Sequence, residues 1–147
     1  MKGEVGNMMT TKSAPFTTGG WQRILKLADS ERQEGVRRYD VYVIEVESLD
    51  EQTPYEFYVG ITRTSGKHRM TQHIAAGDRA ARMFRNGKAR PVRLREDLTV
   101  GLPRFRTQEK ALQAEGLLAR VISANVGLAD SDQRDVRRKR YEAKQAG

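Results

Sequence analysis

Two short runs of β-branched and aromatic residues, separated by a polar turn, constrain the fold of this chain more than any other feature. Residues 39–46 read YDVYVIEV and residues 55–62 read YEFYVGIT, a composition typical of β-strands. The connection at 48–54 is polar and ends in proline, which favours a turn. We therefore predict an antiparallel hairpin with a long loop. Gly60 in the second run indicates a close backbone approach or a bulge, or simple tight packing.

Helical periodicity frames this hairpin on both sides. Apolar residues from Trp21 recur at helical spacing and predict an amphipathic helix that ends near Gly35. A second helix is predicted over 67–76, with Met70 and Ile74 facing inward. Its end at Gly77 is followed by Asp78, a predicted N-cap for a short basic helix.

The rest of the chain adds one strand and one long helix. Pro91 is expected to end the short basic helix, and residues 92–100 (VRLREDLTV) are predicted as a third strand. Thr107 has the character of an N-cap, opening a helix that continues to about Ile122. These elements predict an α/β (α+β) fold with a small three-stranded antiparallel sheet flanked by helices. The expected units are an arm at 1–18, an appended helix at 19–38, one domain at 39–130 and a basic tail or helix at 131–147.

Length and composition place the chain among single-domain globular proteins. A chain of 147 residues is long enough to bury a core without metals or disulfides. It has no cysteine, only two histidines, no apolar run of membrane-spanning length and no secretory signal. We therefore predict a cytoplasmic protein with no membrane partner and no structural zinc site.

The charge is +8 overall and is unevenly distributed. Residues 39–59 contain six acidic residues and no lysine or arginine, whereas residues 79–106 carry a net +7. Such a separation can form a face that attracts a polyanion, with nucleic acid as the first candidate and a solvated surface as the alternative. The candidate phosphate contacts are Arg79, Arg82, Arg85, Lys88, Arg90, Arg93, Arg95, Arg104 and Arg106.

Four polar residues recur at positions suited to phosphodiester chemistry. Tyr42 and Tyr58 lie on the two predicted hairpin strands, and Arg69 and His73 are four residues apart on one helix face. An arginine can bind phosphate through a planar fork, a histidine can relay a proton, and a phenol beside cations can act as a general base. Core packing of the tyrosines and a solvated helix face are the alternatives.

Glu115 is the fifth member of the set. Helical spacing puts it between Ile122 and Leu112, at the border of the apolar stripe of the last helix. A carboxylate there needs an arginine, a hydrogen-bond network or a metal ion as partner. A divalent ion such as Mg²⁺ accepts one protein carboxylate and completes its shell with water and phosphate. A boundary glutamate that is paired with arginine or exposed to solvent is the alternative.

The ordered set resembles the GIY-YIG nuclease superfamily over roughly residues 39–126. The matching segments are Asp40-Val41-Tyr42, Tyr58-Val59-Gly60, Arg69-x-x-x-His73 and Glu115. The resemblance implies that Tyr42 helps to activate the attacking water with Tyr58 nearby. It also implies that Arg69 steadies the phosphate, that His73 assists proton transfer or positions Tyr42, and that Glu115 ligates one Mg²⁺ (or Mn²⁺).

Two further residues have supporting roles in this interpretation. Lys67 can add to the positive field around the phenols, and Asn125 resembles a polar residue that family members place after the metal-ligand helix. The alternative for Asn125 is a plain helix C-cap followed by Gly127. The chain departs from the family pattern in having Asp40 where glycine is usual, and in its longer, acidic hairpin connection.

The sequence thus predicts a metal-dependent endonuclease that hydrolyses DNA, with RNA and the oligomeric state left open. A non-catalytic nucleic-acid-binding protein would account for the basic stretch without any chemistry. An interaction module that uses the acidic hairpin to bind a protein would account for the charge asymmetry. The nuclease interpretation requires the candidate residues to converge in one place.

Overall fold

A four-stranded mixed sheet with helices on both faces forms the frame of the protein. The computed structural model describes residues 14–29, 39–52, 54–77 and 80–131. The strands are β1 (Asp40–Ser48), β2 (Phe57–Thr62), β3 (Ala89–Leu94) and β4 (Ala129–Ser131), in the spatial order β3-β1-β2-β4. The helices are α1 (Gly19–Asp29), α2 (Gly66–Ala75), α3 (Arg82–Arg85) and α4 (Gln108–Asn125), and a 3₁₀ helix spans Glu96–Thr99.

The predicted α+β class is confirmed, whereas the three-stranded antiparallel sheet is wrong. Strand β1 pairs antiparallel with both β2 and β3, but β4 adds a fourth strand that runs parallel to β2. Strand β4 has three residues, too few for an alternating pattern to be read in the sequence. Ser131, which the sequence assigned to the basic tail, is the last residue of this strand.

The third strand lies earlier in the chain than the sequence predicted. Strand β3 includes Pro91, and residues Glu96–Thr99 of the predicted strand form a 3₁₀ helix instead. Pro91 is tolerated because β3 is an edge strand and its pairing with β1 is irregular at Glu45/Val46. Leu98, in this 3₁₀ helix, is buried.

The alternation of side chains along β1 and β2 divides the interior into two clusters. Val41, Val43 and Val59 face α1 and α4, together with Trp21 and Leu118. The other face of the same strands holds a second cluster beside α2 and α3, whose members include Tyr42, Ile44, Tyr58, Met83 and Phe84. The polar candidates on β1 and β2 thus project from the face that α2 and α3 cover.

The appended helix and the arm differ in part from the prediction. Helix α1 is described as far as Asp29, so its predicted end near Gly35 lies outside the described residues. Residues 1–13 of the predicted arm, 132–147 of the predicted tail and the predicted cap Asp78 also lie outside them. Phe16, assigned to the arm, is buried with its ring 5.7 Å from that of Trp21.

Side-chain caps set the first turns of α2 and α4. Ser65 accepts a hydrogen bond from the His68 N–H at the start of α2, and Thr107 accepts one from the Lys110 N–H at the start of α4. The predicted cap at Thr107 is confirmed. Ile74, predicted to face inward, is 62% exposed. None of the helices in the described ranges is long and apolar enough to cross a lipid bilayer.

Gly60 is a close-approach position, which resolves the alternatives that the sequence left open. It lies opposite Tyr42 in the antiparallel register of β1 and β2. A Cβ atom at residue 60 would overlap the phenol ring and hydroxyl of Tyr42. The absence of a side chain there lets the phenol of Tyr42 lie across β2.

Replacing Gly60 with alanine should therefore destabilise the protein. We expect the free energy of unfolding to fall by about 1–3 kcal/mol because the Tyr42 ring must move away from a new methyl group. Urea denaturation followed by circular dichroism measures this change. Gly19→Ala is the matched control, because a Cβ atom there meets nothing within 4 Å. Equal stability of the two variants would contradict this account of Gly60.

Candidate active site around Tyr42 and His73

Two phenols and one imidazole meet where β1, β2 and α2 come together. The ring centroids of Tyr42 and Tyr58 are 6.3 Å apart, and that of His73 lies 6.0 Å from the first and 5.4 Å from the second. Phe84 of α3 closes the group, with its ring 4.9 Å from His73 and 5.8 Å from Tyr58. The structure thus brings together three of the candidates that are far apart in the sequence.

The hydrogen bonds of His73 define its tautomer. Its Nδ1 atom accepts the backbone N–H of Ala81 at 3.0 Å. A ring nitrogen that accepts a hydrogen bond carries no proton, so the proton of the neutral ring is on Nε2. Nε2 lies 2.9 Å from the Tyr42 hydroxyl and therefore donates to the phenol oxygen. His73 holds Tyr42 in place as a donor and cannot accept its proton in this arrangement.

Burial keeps this imidazole neutral. His73 is 0% exposed. Burial, and then the positive charge of Arg69, lower the pKa of His73 from its usual value to about 4. The neutral form is also the one that can accept from Ala81. Hydrogen bonding and electrostatics therefore favour the same protonation state at neutral pH.

Arg69 adds a positive charge to the same phenol oxygen. Its Nε–H donates to the Tyr42 hydroxyl at 3.4 Å, and its Nη1 donates to the side-chain oxygen of Gln72. Two N–H groups, one of them cationic, thus point at the phenol oxygen of Tyr42. Each donor stabilises negative charge on the oxygen, and the burial of the phenol opposes its ionisation.

The site is more enclosed than the sequence predicted. Tyr42 is 4% exposed and Tyr58 is 2% exposed, so both phenols belong to the interior of the domain. Arg69 is half-buried and Lys67 is exposed. Lys67 borders a cavity that Tyr42 also lines. The two less buried residues beside the phenols, Arg69 and Lys67, are therefore both cations.

Glu115 lies on α4, within the buried face of that helix. It is 2% exposed, and is therefore more deeply buried than a position at the border of the apolar stripe predicted. Its helical neighbours Ala111, Leu118 and Ile122 belong to the cluster on the sheet face opposite Tyr42. Strand β4 covers the edge of β2 only from Phe57 to Val59. The edge from Gly60 onward has no strand partner among the described residues.

The donor set of the site suits some metal ions and not others. Among the described residues there is no group of three or more His, Cys, Asp or Glu side chains that could hold a metal ion. The described residues therefore include no cluster of the three or four protein ligands that zinc requires. Mg²⁺ accepts one or two carboxylates and keeps several waters. A single buried carboxylate such as Glu115 therefore fits Mg²⁺ by the type and number of its donors.

Asn125 lies at the end of α4, and the hydrogen bonds and ring contacts named above join neither it nor Glu115 to the Tyr42 cluster. It is the last residue of α4, and its side-chain amide donates to the Val121 carbonyl oxygen at 2.7 Å. It borders a groove lined also by Thr18 and Gly20 of the α1 region. These contacts agree with the alternative that Asn125 is a polar residue at the C-terminal end of the helix. Among the described residues, no contact of Asn125 with the Tyr42 cluster supports an active-site role.

Three residues near the cluster were missed by the sequence interpretation. Gln72 contacts Arg69, the Ala81 N–H sets the tautomer of His73, and Asp130 pairs with Tyr58 in the parallel register of β4. Asp130 is buried, at 7% exposed. The spacing of Arg69 and Gln72 on one helix was a readable signal. The other two contacts had no such signal, because Ala81 contacts His73 through its backbone N–H and Asp130 reaches Tyr58 only through the three-residue strand β4.

The basic residues do not form a face separate from the acidic ones. Strand β1 lies beside β3, so the acids of the first neutralise cations of the second. Five of the nine predicted phosphate contacts are in ion pairs, which are Lys88–Asp50, Arg90–Glu47, Arg93–Glu45, Arg95–Glu45, Arg95–Asp97 and Arg104–Asp40. These exposed pairs add little stability but reduce the positive potential of the strand.

The remaining four basic residues differ in environment. Arg82 and Arg85 on α3 are exposed, and neither is in an ion pair within the described part of the chain. Arg106 is half-buried and Arg79 lies outside the described residues. Because Phe84 of the same short helix contacts His73, the two arginines of α3 lie next to the candidate active site.

Comparisons with protein-family models, with curated proteins and with solved structures give no match for this chain. The likeness to the GIY-YIG nucleases therefore depends on the residues themselves. Those residues are the two tyrosines, the Arg69 and His73 pair, and Glu115.

His73 should make the stability of the protein depend on pH. The folded pKa of about 4 lies below the ordinary value of 6.5, so the unfolded chain binds more protons between these values. Stability should be full above pH 6.5 and fall by roughly 3 kcal/mol as the pH drops to about 4. Urea denaturation at a series of pH values measures this slope.

The control for this prediction is the second histidine of the chain. Carboxylates also titrate in this range, so the test is the difference between variants. His73→Gln, which keeps one donor and one acceptor, should lose the histidine contribution to the slope. His68→Gln should retain it, because His68 is exposed. Equal slopes for His73→Gln and the unmodified protein would contradict the assignment.

Proposed function

We propose that this protein is a metal-dependent endonuclease that hydrolyses phosphodiester bonds of DNA. The observation that carries the proposal is the pair of N–H groups, from His73 Nε2 and Arg69 Nε, at the hydroxyl oxygen of Tyr42. A phenol held in this way is suited to accept a proton from an attacking water molecule. Purely structural tyrosines do not need a cation at their hydroxyl.

In this proposal each residue of the cluster has one task. Tyr42 is the general base, and its ionised oxygen takes a proton from the water as the water oxygen bonds to phosphorus. The P–O bond to the leaving nucleoside oxygen breaks, and that oxygen takes a proton from solvent. Arg69 holds positive charge beside that oxygen and stabilises the charge that develops on the phosphate. His73 is a positioning residue, because its Nδ1 is occupied by the Ala81 N–H. Tyr58 packs against both rings and restricts their motion.

Glu115 is the residue that would hold Mg²⁺ (or Mn²⁺). When bound, the ion would act as a Lewis acid at the phosphate oxygens. A carboxylate set into the apolar face of α4 requires a compensating charge or hydrogen bonds, and a bound ion would add to the partners that Glu115 has within the protein.

The proposed substrate follows from the charge next to the cluster. Arg82 and Arg85 on α3 and Lys67 on α2 are exposed cations. They are the proposed phosphate contacts, because Arg and Lys dominate the affinity for nucleic acid. The ion-paired residues of β3 contribute less, since binding DNA there would require a partner carboxylate to be displaced. The test substrates are therefore supercoiled DNA and a structured RNA, assayed in parallel.

A second function is favoured by the burial of the cluster. Tyr42, Tyr58 and His73 are each less than 5% exposed, as expected if the network only stabilises a nucleic-acid-binding domain. In that case salt-sensitive binding would occur without any product and without dependence on Mg²⁺. Removal of the hydroxyl group of Tyr42 distinguishes the two functions.

Tyr42→Phe should abolish nicking of supercoiled DNA in Mg²⁺. Loss of the general base is expected to lower the rate by at least about 100-fold, while DNA affinity at fixed salt stays within about twofold of the unmodified protein. Agarose electrophoresis and a gel-shift assay provide the two measurements. Tyr39→Phe is the matched control and should cut normally. Cutting by Tyr42→Phe at the normal rate would exclude this phenol as the base.

Glu115→Gln should remove both the activity and the response to metal. We expect the thermal midpoint of the unmodified protein to rise as Mg²⁺ is added, by linkage to binding, and that of Glu115→Gln to stay constant. Glu109→Gln, an exposed glutamate in the first turn of the same helix, is the control and should behave as the unmodified protein. An unchanged response of Glu115→Gln to Mg²⁺ would show that the ion binds elsewhere.

A further inference from the structure

A cavity next to Tyr42 has no task in the chemistry described so far. It has a volume of about 330 Å³ and lies between the start of β1, the start of α2 and the segment from Leu94 to Pro103. This size is at the lower end of the range for small-molecule sites, roughly 300–1,000 Å³. Because Tyr42 forms part of its wall, anything bound in the cavity is adjacent to the proposed catalytic phenol.

The lining of the cavity combines apolar walls with acceptors and one lysine. Leu94, Leu102 and Pro103 provide apolar surface, and Asp40 and Glu96 provide carboxylates. The cations in the lining are Lys67, near Tyr42, and Arg95, which is in ion pairs with Glu45 and Asp97. A flat aromatic heterocycle with amino groups suits such walls, since carboxylates only accept hydrogen bonds. The charged lysine suits a phosphate attached to that heterocycle.

Gly66 helps to keep the cavity beside the phenol open. A Cβ atom at this position would lie 3.2 Å from the Tyr42 Cβ and 3.1 Å from one methyl carbon of Leu94. These are closer than ordinary van der Waals contacts, so the start of α2 approaches β1 as nearly as a glycine allows. The wall that joins α2 to β1 is therefore tightly packed around the cavity mouth.

We propose that this cavity receives an unstacked nucleobase next to the scissile phosphate, so that the protein acts on nucleic acid at an unpaired nucleotide. The inference depends on the proposed function, which puts the phosphate at Tyr42. A base inside a duplex is stacked and paired, and entry into a cavity requires it to leave the stack. An unpaired nucleotide has no base pair to break, so less free energy is needed to move its base into the cavity. The protein should therefore bind it preferentially.

The carboxylates predict which bases the cavity prefers. Asp40 is held by Arg104, whose Nε lies 2.9 Å from its Oδ1, and Glu96 is exposed at the rim. Carboxylates accept hydrogen bonds from the amino group of cytosine. Thymine has no amino group, and its one ring N–H donor lies between two carbonyl oxygens that repel a carboxylate. Unpaired cytosine should therefore be preferred over unpaired thymine by about tenfold, which is about 1.4 kcal/mol.

The test measures binding without catalysis. The full-length protein, in chelator, is titrated into a DNA hairpin that carries one unpaired fluorescent aminopurine, and into the same hairpin fully paired. We expect binding of the unpaired probe to be about tenfold tighter, with a fluorescence change on insertion. Leu102→Trp, which fills the cavity, should abolish the difference. Leu49→Trp adds the same ring at an exposed position outside the lining and should retain it.

A second variant guards against misfolding of the first. Glu96→Gln changes an exposed side chain and should reduce the preference for unpaired cytosine over unpaired thymine. Equal binding of paired and unpaired probes by the unmodified protein would overturn the inference. Two results together would overturn it as well. They are tighter binding of the unpaired probe by Leu102→Trp that is folded by circular dichroism, and an unchanged preference for cytosine over thymine in Glu96→Gln.

The same probes in Mg²⁺ separate this inference from the proposed function. Cleavage of paired and unpaired DNA at equal rates would sustain the nuclease and reject the cavity as a base site. Selective binding of the unpaired probe without cleavage would sustain the cavity and reject the nuclease. Cleavage confined to the unpaired nucleotide would support both.

Discussion

The hydrogen bond from the Ala81 N–H to His73 Nδ1 is the contact on which the candidate site depends. At 3.0 Å it assigns the ring proton to Nε2, and this proton is directed at the Tyr42 hydroxyl 2.9 Å away. Without it, the imidazole could present either nitrogen to the phenol. The contact also joins α2 to the start of α3, so the fold and the protonation state of the site are set together.

The two faces of the sheet hold different kinds of residue. One face of β1 and β2 packs against α1 and α4 through aliphatic residues and Trp21. The other face carries Tyr42 and Tyr58 under α2 and α3. Gly60 affects both packing and the position of Tyr42, because the absence of a side chain at residue 60 lets the Tyr42 phenol lie across β2. A site of this kind tolerates few substitutions, since each polar side chain is also part of a packed cluster.

Much of the local structure could be predicted from the sequence, and the reasons for the errors are physical. The runs around Tyr42 and Tyr58 are dense in β-branched residues, so the hairpin was recognisable. Arg69 and His73 are one helical turn apart, and both reach the Tyr42 hydroxyl. Strand β4 was missed because its pairing with β2 is a long-range contact of three residues. The outward position of Ile74 was missed because helical periodicity does not say which face a short helix buries.

The electrostatics divide in the same way between sequence and structure. The sequence determined how many charges the chain carries, in which order, and that phenol, guanidinium, imidazole and carboxylate are all present. Only the tertiary structure decided that β1 lies beside β3, so that acids and bases neutralise each other there. It also decided the neutral state of His73, through burial. Both results depend on distances between residues far apart in the chain, and no local pattern contains those distances.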